Sequence, residues 1–346
     1  MACLTSREGF TADVVGGLLQ KTVLNPALAL PLFLLARYTT KGQSLAGPHP
    51  KYLKALKVFA SLGVARYVNG WLNQRALNNG VSDKYDWPQE IAVVTGGSDG
   101  IGQRITLLLA KHGLKVVILD VQPPKYKLPS NVTYFHCDIC SPEAVAKAAA
   151  DIRATVGGDP SILINNAGVL KGKTILEGTE ELTRQTFEVN TLSHYRLARE
   201  FLPAMISRNH GMVVTVASQA ALVVSANMVD YSASKAAAVA FHEGLAVELK
   251  MRYEAPKVRT VLVTQGFTRT HLSSILSGAD DWFSPLLHPE TVAERLVNQV
   301  LSGRSGNVMV PGSTGLISGN LRALPLWFQQ RIRNVTEKQM RPPKTA

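Results

Sequence analysis

The sequence predicts an α/β fold, in which one doubly wound parallel sheet has helices on both faces and follows a helical N-terminal extension. Two observations support this fold class. From Ile91 onward, short runs rich in Val, Ile and Leu alternate with segments of helical spacing. The runs are almost continuously apolar, as in strands that helices cover on both faces, and regular β-α alternation produces parallel sheets. The predicted strands are residues 91–95, 115–120, 131–136, 161–165, 211–218, 257–264 and 307–310.

Helical patterns occupy the intervals between these runs. The interval after the fourth strand is predicted to be helical as far as Arg208. The other predicted helices are residues 101–112, 142–155, 231–250 and about 289–302. We therefore expect three parts, namely an extension over residues 1–86, the α/β domain over 87–310 and a tail over 311–346.

The composition excludes two classes of protein. Of the 346 residues, 46% are hydrophobic, which is enough for a sizeable core and excludes a disordered chain. The three cysteines, Cys3, Cys137 and Cys140, are too few for a disulfide scaffold and suit a reducing compartment. Cys137 and Cys140 form a C-x-x-C pair, but no second Cys or His pair completes a zinc set. We expect no metal site.

The net charge of +12 is concentrated at the two ends of the chain. Residues 1–90 carry 10 basic and 5 acidic side chains, and residues 322–346 carry 6 and 1. The middle of the chain, residues 91–321, is nearly neutral, with 21 basic and 19 acidic side chains. A basic chain can bind nucleic acid, but an excess that lies on apolar flanks favours a membrane surface instead.

The N-terminal extension contains two apolar stretches. The first, residues 22–36, is uncharged but shorter than the roughly 20 residues that cross a bilayer, and Pro26 and Pro31 interrupt it. We interpret it as an interfacial or re-entrant membrane anchor, with a helix packed on the protein as the alternative. The second, residues 51–77, has the spacing of a basic amphipathic helix. Such a helix lies on an anionic membrane or presents a solvated face.

A glycine-rich loop joins the first predicted strand to the helix that follows. It reads Thr-Gly-Gly-Ser-Asp-Gly-Ile-Gly over residues 95–102. Glycines at these positions permit a tight turn and let the backbone approach a pyrophosphate, which binds at the N-terminus of the helix. Because the loop lies between a strand and a helix, it predicts a dinucleotide site.

The second predicted strand ends at Asp120, which bears on the choice of dinucleotide. A carboxylate at this position accepts hydrogen bonds from a ribose 2′-hydroxyl and repels a 2′-phosphate. Asp99 adds a second acidic side chain near the loop, and no arginine directly follows Asp120. We therefore expect NAD as the preferred cofactor, with NADP as the alternative.

Further motifs complete a known pattern. Asn-Asn-Ala-Gly follows the fourth strand at 165–168, Ser218 ends the fifth strand, and Tyr-Ser-Ala-Ser-Lys occupies 231–235. Together with T-G-x-x-x-G-I-G and Asn190, these motifs resemble the short-chain dehydrogenase/reductase family, over roughly residues 88–310. The resemblance implies a Rossmann-like fold and an NAD(P)-dependent oxidoreductase that interconverts an alcohol with a ketone or aldehyde.

The resemblance also implies roles for individual residues. Asn190 would position a water that relays protons past Lys235 to solvent, and Asp138 would meet the adenine. Thr270 would lie near the nicotinamide carboxamide. One position departs from the family pattern, because Gln265 stands where proline usually follows the sixth strand. The cofactor-binding residues that we expect are Gly96, Ser98, Gly100, Ile101, Gly102, Asp120, Asp138, Asn165, Ala167, Gly168, Tyr231, Lys235 and Thr270.

The catalytic chemistry can be inferred from the residue types. Tyr231 and Lys235 are four positions apart and therefore share one helix face. An ammonium near a phenol favours the phenolate, which lowers the phenol pKa from its usual value of about 10. We expect Tyr231 to take the proton of a substrate hydroxyl as hydride leaves for the cofactor, while Ser218 stabilises charge on the same oxygen. The predicted catalytic residues are Asn190, Ser218, Tyr231 and Lys235.

The remaining segments bear on the substrate and on location. Residues 271–288 mix Leu, Ile, Trp282 and Phe283 with few charges, which suits a hydrophobic alcohol or ketone better than a sugar or acid, with ordinary packing over the core as the alternative. The tail continues with apolar residues over 316–328 and then basic ones. These flanks resemble the membrane-associated subgroup that includes retinol dehydrogenases and lipid-droplet 17β-hydroxysteroid dehydrogenases. That resemblance implies a retinoid, steroid or long-chain lipid substrate at the endoplasmic reticulum or lipid droplets, with a cytosolic catalytic domain.

The sequence leaves two other functions as alternatives. One is a soluble ketoreductase of secondary metabolism, whose flanks pack on the protein. The other is a basic binding or scaffold protein without activity, against which the complete catalytic set argues. Members of the family usually dimerise through helices that correspond to residues 171–208 and 231–250, so a homodimer is a possible assembly. We expect no nucleic-acid partner.

Overall fold

The computed structural model describes residues 7–273 and 282–337. The chain forms two compact units, Met1–Gly80 and Val81–Ala346. The boundary between them lies slightly before the one expected at residue 86. The residues expected to form a separate tail after 310 belong, where they are described, to the second unit.

The first unit consists of helices. Asn25 caps α2 (Pro26–Tyr38), because its side-chain oxygen accepts a hydrogen bond from the Ala27 amide at 3.0 Å, and Pro26 occupies the first helical position. Gly63 permits close packing within this unit, since a Cβ there would lie 2.8 Å from the Leu24 carbonyl oxygen. In the described part of this unit, residues 7–80, the helices are α1 (Ala12–Lys21), α2 (Pro26–Tyr38), α3 (Thr40–Ala46) and α4 (Pro50–Leu77).

Within the described residues, no single helix is both long and apolar enough to cross a membrane. The helices α1 and α2 satisfy the requirements of length and composition only as a pair, which is bent by 50°. Many large apolar side chains of this unit are exposed, among them Leu28, Leu32, Leu35 and Trp71.

The second unit contains a seven-stranded sheet in the order β3-β2-β1-β4-β5-β6-β7. Every pair of neighbouring strands is parallel. This arrangement confirms the predicted doubly wound sheet. The strands are β1 (Ile91–Thr95), β2 (Lys115–Asp120), β3 (Val132–His136), β4 (Ile162–Asn165), β5 (Met212–Val216), β6 (Arg259–Gln265) and β7 (Gly306–Val310).

Helices cover both faces of the sheet, which explains why its central strands are apolar on both sides. In β1, Ala92 and Val94 face one core, and Ile91 and Val93 face the other. The first core includes α5 (Gly100–Lys111) and α10 (Pro289–Leu301). The second includes α6 (Pro142–Val156), α8 (Ser193–Arg208) and α9 (Val229–Met251).

The prediction of a helix directly after β4 is wrong for residues 166–179, which adopt no regular structure. The side chain of Asn190 bonds both the amide and the carbonyl of Val169, so these groups are not available to a helix. Helix α7 (Glu180–Phe187) follows. A π-helical turn, Glu188–Leu192, then joins α7 to α8.

The described part of the C-terminal tail is also structured. Helices α11 (Gly312–Ser318) and α12 (Leu326–Glu337) follow β7. Leu321 between them is fully buried, and Gln329 of α12 donates to the Leu324 carbonyl at 2.8 Å. The basic residues Lys338, Arg341 and Lys344 of the expected tail lie outside the described residues.

Candidate active site

The expected site residues come together at the carboxyl ends of adjacent strands. In the sheet order, β1, β4, β5 and β6 are neighbours. Their ends lead into the glycine loop, the Asn-Asn-Ala-Gly segment, Ser218 and Gly266, respectively. This edge is where open α/β sheets bind their ligands.

The glycine loop packs so closely on its surroundings that side chains could not fit. Gly96 has φ of 65°, and a Cβ on it would lie 2.9 Å from the Ala167 Cα. A Cβ on Gly102 would lie only 2.0 Å from the Gly96 carbonyl oxygen. The two glycines therefore bring the start of α5 directly against the loop, with its amide groups at the site.

Asn166 holds this loop against the end of β4, a role that we did not expect from the sequence. Its Nδ2 donates to the Thr95 carbonyl at 2.9 Å and to the Gly96 carbonyl at 3.3 Å. In return, the Thr95 hydroxyl accepts from the Asn166 and Ala167 amides, each at 3.0 Å. The only sequence signal was the position of Asn166 inside the Asn-Asn-Ala-Gly motif.

Asp120 links the end of β2 to the glycine loop. Its Oδ2 accepts from the Ser98 amide and its Oδ1 from the Gln122 amide, both at 3.1 Å. Each carboxylate oxygen retains capacity for a second hydrogen bond, for example from a ribose hydroxyl. Asp99 has a different local role, because its Oδ1 accepts from the Gly100 amide at 2.7 Å and caps α5.

Asp138 and Asn165 lie at the ends of β3 and β4, on the same edge. Asp138 is exposed, and its Oδ1 accepts from the Cys140 amide at 2.9 Å. Asn165 is 1% exposed, and neither polar atom of its side chain has a hydrogen-bond partner among the described residues. A buried amide without partners is costly, so a ligand that supplies hydrogen bonds there would be favoured.

The cysteines beside Asp138 are both free. Burial, with the nearby Asp138 charge, raises the pKa of both Cys137 and Cys140 to about 11. Both thiols are therefore protonated at neutral pH, which is the unreactive form. Among the described residues, no group of His, Cys, Asp and Glu side chains could hold a metal ion.

Tyr231 and Ser218 bring two hydroxyl groups together. Tyr231 lies in the first turn of α9 and is 6% exposed. Its phenol lies beside the Ser218 side chain, which acts to lower the phenol pKa. The Ser218 hydroxyl also accepts from the Ala220 amide at 3.1 Å and lies 3.4 Å from the Gln265 carbonyl oxygen, to which it donates. These backbone contacts fix the Ser218 hydroxyl beside the phenol.

Lys235 lies one turn further along α9 and is buried. Its Nζ donates to the Val216 carbonyl at 2.8 Å and is 5.9 Å from the centroid of the Tyr231 ring. Gly168 leaves room for it, since a Cβ there would lie 3.4 Å from Lys235 Nζ and 3.3 Å from Asn190 Oδ1. Asn190 is therefore next to the lysine, in the π-helical turn.

The expected fall in the phenol pKa does not occur. Burial raises the pKa of Tyr231 to about 12, although the neighbouring Ser218 side chain acts in the opposite direction. Burial also lowers the pKa of Lys235 to about 8. The cost of charging either buried group thus exceeds the attraction between them, and the phenol is the favoured form of Tyr231 at neutral pH.

Thr270 and Gln265 complete the site on the side of β6. The Thr270 methyl carbon lies 3.4 Å from the Cβ position of Gly100, so Thr270 reaches the glycine loop. Gln265 is 8% exposed, and its Oε1 has no hydrogen-bond partner among the described residues. Residues 274–281 of the expected specificity segment lie outside the described residues.

A cavity of about 260 Å³ opens beside the two hydroxyls. Ser218 and Tyr231 line it, and so do Ile101 and Thr270 from the cofactor side. Its other walls are mainly apolar and include Leu170, Val223, Met228, Phe267, Phe283 and Ile317. A reacting carbon and its oxygen could therefore reach both hydroxyls from a mostly apolar pocket.

A comparison with protein families identifies this arrangement. The family model described as short chain dehydrogenase matches residues 90–279, which is more than half of the chain. The chain belongs to the short-chain dehydrogenase family. It is thus an NAD(P)-dependent oxidoreductase that interconverts alcohols and ketones.

Individual short-chain dehydrogenases extend the comparison. The chain is 48% identical to dehydrogenase RED2 of Cochliobolus heterostrophus over 199 residues, 57% of this chain and 75% of that protein. It is 34% identical to estradiol 17-beta-dehydrogenase 11 of Rattus norvegicus over 247 residues, 69% and 81% of the two chains. It is 31% identical to epidermal retinol dehydrogenase 2 of Mus musculus over 221 residues, 61% and 71% of the two chains.

The solved structures confirm the short-chain dehydrogenase fold. Aldohexose dehydrogenase of Thermoplasma acidophilum, in its ligand-free form, superposes with a TM-score of 0.59 at 22% identity. The match covers 67% of this chain and 96% of that one.

The chain's own residues suit the dinucleotide that short-chain dehydrogenases use. The glycine loop offers a cradle in which added Cβ atoms would clash, and the unpartnered Asn165 amide lies at the same edge of the sheet. The Asp120 carboxylate has remaining acceptor capacity beside the loop. The site thus provides a backbone surface for phosphates and polar groups for a ribose.

Proposed function

We propose that this short-chain dehydrogenase acts on a lipophilic alcohol or ketone, with Tyr231 as the general acid and base. The observation that carries the proposal is the shared position of the Ser218 and Tyr231 hydroxyls in one mainly apolar cavity. When bound, NAD(P) supplies the hydride chemistry. Every proton must therefore be handled by residues of the chain.

Tyr231 performs the proton transfer. In the reducing direction, its neutral phenol donates a proton to the carbonyl oxygen of the substrate, and in the oxidising direction its phenolate takes that proton back. Because burial disfavours the phenolate, the site without ligands is prepared for reduction. The Ser218 hydroxyl binds the same oxygen and stabilises its developing negative charge.

Lys235 and Asn190 support the proton transfer from behind Tyr231. A charged Lys235 favours the phenolate that remains once Tyr231 has given up its proton. Asn190 positions a water that connects Lys235 with solvent. Its side chain is held by the Val169 backbone and by Ser234, which fixes the turn beside the lysine.

NAD is the preferred cofactor in this proposal. Asp120 accepts hydrogen bonds from ribose hydroxyls and repels the 2′-phosphate of NADP. The expected measurement is a higher kcat/KM with NAD than with NADP, and Asp120→Ser should reduce the difference. A wild-type preference for NADP would contradict the role of Asp120.

The apolar lining of the cavity supports a lipophilic substrate. Two relatives are named for estradiol and for retinol, which are both lipophilic alcohols. We infer a substrate of the retinoid, steroid or long-chain lipid type. A soluble ketoreductase of secondary metabolism is the alternative, and a substrate panel together with cell fractionation separates the two.

The N-terminal unit associates with a membrane surface in this proposal. Its exposed apolar side chains and the bent pair of helices α1 and α2 suit a segment that enters the interface without crossing as one helix. We infer a location at the endoplasmic reticulum or lipid droplets, with the catalytic unit in the cytosol. Full-length protein should sediment with membranes, whereas protein without residues 1–80 should not. A soluble full-length chain would contradict the anchor.

A homodimer completes the proposal. Tyr195 of α8, and Val247 and Met251 of α9, are apolar or aromatic side chains that are exposed in the single chain. Burial of such side chains is a common driving force for association. Light scattering of purified protein should give twice the mass of the chain, and a monomeric mass would contradict this part of the proposal.

The decisive experiment is an activity screen in the presence of lipid or detergent. Retinol, steroid and long-chain alcohols and their carbonyl forms are supplied with NAD or NADP. Tyr231→Phe should reduce kcat by roughly 10²- to 10⁴-fold, since it removes the proton that is transferred. Tyr253→Phe, an exposed tyrosine after α9, is the matched control and should keep full activity. Unchanged turnover of Tyr231→Phe would overturn the mechanism.

A further inference from the structure

Helix α12 forms part of the cavity that contains the catalytic hydroxyls. Ile332, Val335 and Thr336 line the same cavity as Tyr231. The family match ends at residue 279, so this wall lies in a part of the chain that the family model does not include. One wall of the cavity is therefore formed by an element outside the shared catalytic core.

The three side chains occupy one face of the helix. Positions 332, 335 and 336 are related by spacings of three and four residues, which place their side chains next to each other. Ile332 and Val335 both line the cavity with hydrocarbon, Val335 being 53% exposed, and Thr336 adds a hydroxyl. Gln330, by contrast, is exposed and does not line this cavity.

A hydrogen bond between two side chains ties α12 to the loop that carries the catalytic serine. The Ser225 hydroxyl lies 2.6 Å from the Thr336 hydroxyl and donates to it, and Thr336 in turn donates to the Arg333 carbonyl at 2.8 Å. Ser225 is 5% exposed and belongs to the segment between Ser218 and Tyr231. The position of the wall is thus set relative to the reacting groups.

The size of the cavity makes this wall important for binding. Its volume of about 260 Å³ lies just below the range for ligand pockets, which is roughly 300–1,000 Å³. A lipophilic substrate with its reacting oxygen at Tyr231 must direct its remaining carbon atoms along the apolar walls. In such a cavity, the carbon skeleton reaches the face of α12.

We propose that α12 is the selectivity wall of the substrate site, resting on the proposed function above. Ile332 and Val335 contact the hydrocarbon part of the alcohol or ketone. The Ser225–Thr336 hydrogen bond fixes how far that part extends from Tyr231. Thr336 and Ser225 are positioning residues, because they act through the placement of the wall.

The first test measures selectivity across a homologous series of straight-chain alcohols and ketones. Ile332→Ala and Val335→Ala enlarge the cavity. Each should raise kcat/KM for longer substrates, relative to kcat/KM for shorter ones, by about tenfold or more. Ile332→Val removes a single methylene and should give a smaller shift in the same direction. Gln330→Ala, on the same helix but away from the cavity, should leave the length profile unchanged.

The second test concerns the hydrogen bond. Ser225→Ala and Thr336→Val should each relax the length profile, mainly through KM for the longest substrates, while kcat for short substrates stays near the wild-type value. The double variant should resemble each single variant, since both remove one shared interaction. Thr336→Ser keeps a hydroxyl at this position and should therefore keep the wild-type length profile.

The outcomes separate this proposal from the proposed function. If the wild-type protein turns over no member of the series or of the lipid panel with either cofactor, both the proposed function and the selectivity wall are overturned. If the wild-type protein is active but Ile332→Ala, Ile332→Val and Val335→Ala all keep its length profile, the selectivity wall alone is overturned. Additive effects of Ser225→Ala and Thr336→Val overturn the role of their hydrogen bond.

Discussion

The ammonium nitrogen of Lys235 lies 5.9 Å from the centroid of the Tyr231 ring and donates its hydrogen bond to the Val216 carbonyl instead of the phenol oxygen. The two buried groups therefore share one helix face without forming a direct pair. Burial raises the pKa of Tyr231 to about 12 and lowers that of Lys235 to about 8. Of the two, Lys235 is the group that changes its charge near neutral pH.

This difference predicts a pH dependence for carbonyl reduction. Lys235 is charged below about pH 8 and neutral above it, whereas Tyr231 stays protonated throughout this range. Because the charged lysine stabilises the phenolate left after proton transfer, kcat/KM should fall as pH rises through about 8. Lys235→Arg should move the fall to higher pH, since a guanidinium stays charged. Lys250→Arg, at an exposed position of α9, is the control and should keep the wild-type profile. A flat wild-type profile up to pH 10 would contradict the role of the lysine charge.

Gly102→Ala should weaken cofactor binding. The added carbon would lie 2.0 Å from the Gly96 carbonyl oxygen, so the loop must shift at a cost of about 1–3 kcal/mol. The dissociation constant for NAD, measured by fluorescence titration, should rise by roughly 5- to 150-fold. Gly244→Ala in α9 is the control, because a Cβ there meets no atom within 4 Å. It should bind NAD normally and stabilise the helix by about 0.5–1 kcal/mol. Equal affinities of the two variants would refute the tight packing of the loop.

Asn166→Ala should affect both stability and cofactor binding. It removes hydrogen bonds to the Thr95 and Gly96 carbonyls, and we expect a loss of about 1–2 kcal/mol in the free energy of unfolding. Because these bonds hold the glycine loop, KM for NAD should also rise. Asn131→Ala is matched to it, since Asn131 also donates to two carbonyls, those of Ala110 and Leu114. That variant should lose similar stability in urea unfolding without a change in KM. If both variants raise KM equally, Asn166 has no special role at the loop.

His194 should make the protein sensitive to acid. Burial lowers the pKa of this histidine to about 3, well below its ordinary value of 6.5, so the folded state favours the neutral ring. Above pH 6.5 the ring is neutral in both the folded and the unfolded chain, so this histidine does not reduce the free energy of unfolding. As pH falls below 6.5, the unfolded chain binds a proton that the folded chain does not, and the free energy of unfolding decreases by up to about 1.4 kcal/mol per pH unit. His194→Leu should lose less stability than wild type between pH 7.5 and 5.5, whereas His112→Gln, at an exposed position, should behave like wild type. Identical pH dependence in His194→Leu would exclude this histidine as the cause.

The sheet could be predicted from the sequence because its strands are buried on both faces. Runs such as 91–95 and 115–120 each contain four consecutive apolar residues and appear in the structure with the same bounds. The glycine loop and the Tyr231–Lys235 pair were recognised because their function requires fixed residue types at fixed spacing. Their positions on adjacent strand ends and on one helix face then follow from the fold.

Other features depend on tertiary contacts that no local pattern encodes. Residues 166–179 were expected to be helical, but Asn190 bonds the Val169 backbone from far along the chain. The helices α11 and α12 were not expected, since α11 is short and rich in Gly and Ser, and α12 has several polar residues. The pKa of Tyr231 depends on the balance between burial and charge, which requires the depth of the side chain.

The π-helical turn Glu188–Leu192 has a consequence for how the chain tolerates length changes. A π-turn accommodates one residue more than a regular α-helical path requires. Because the turn already absorbs that residue, deleting one residue within it would restore a regular α-helix and leave α8 in its present orientation. Leu197 and Phe201 would stay in the core that they share with the sheet. Asn190 lies inside the turn, however, and its hydrogen bonds to the Val169 backbone would be displaced. A shortened chain would therefore keep its core and lose the placement of Asn190 beside Lys235.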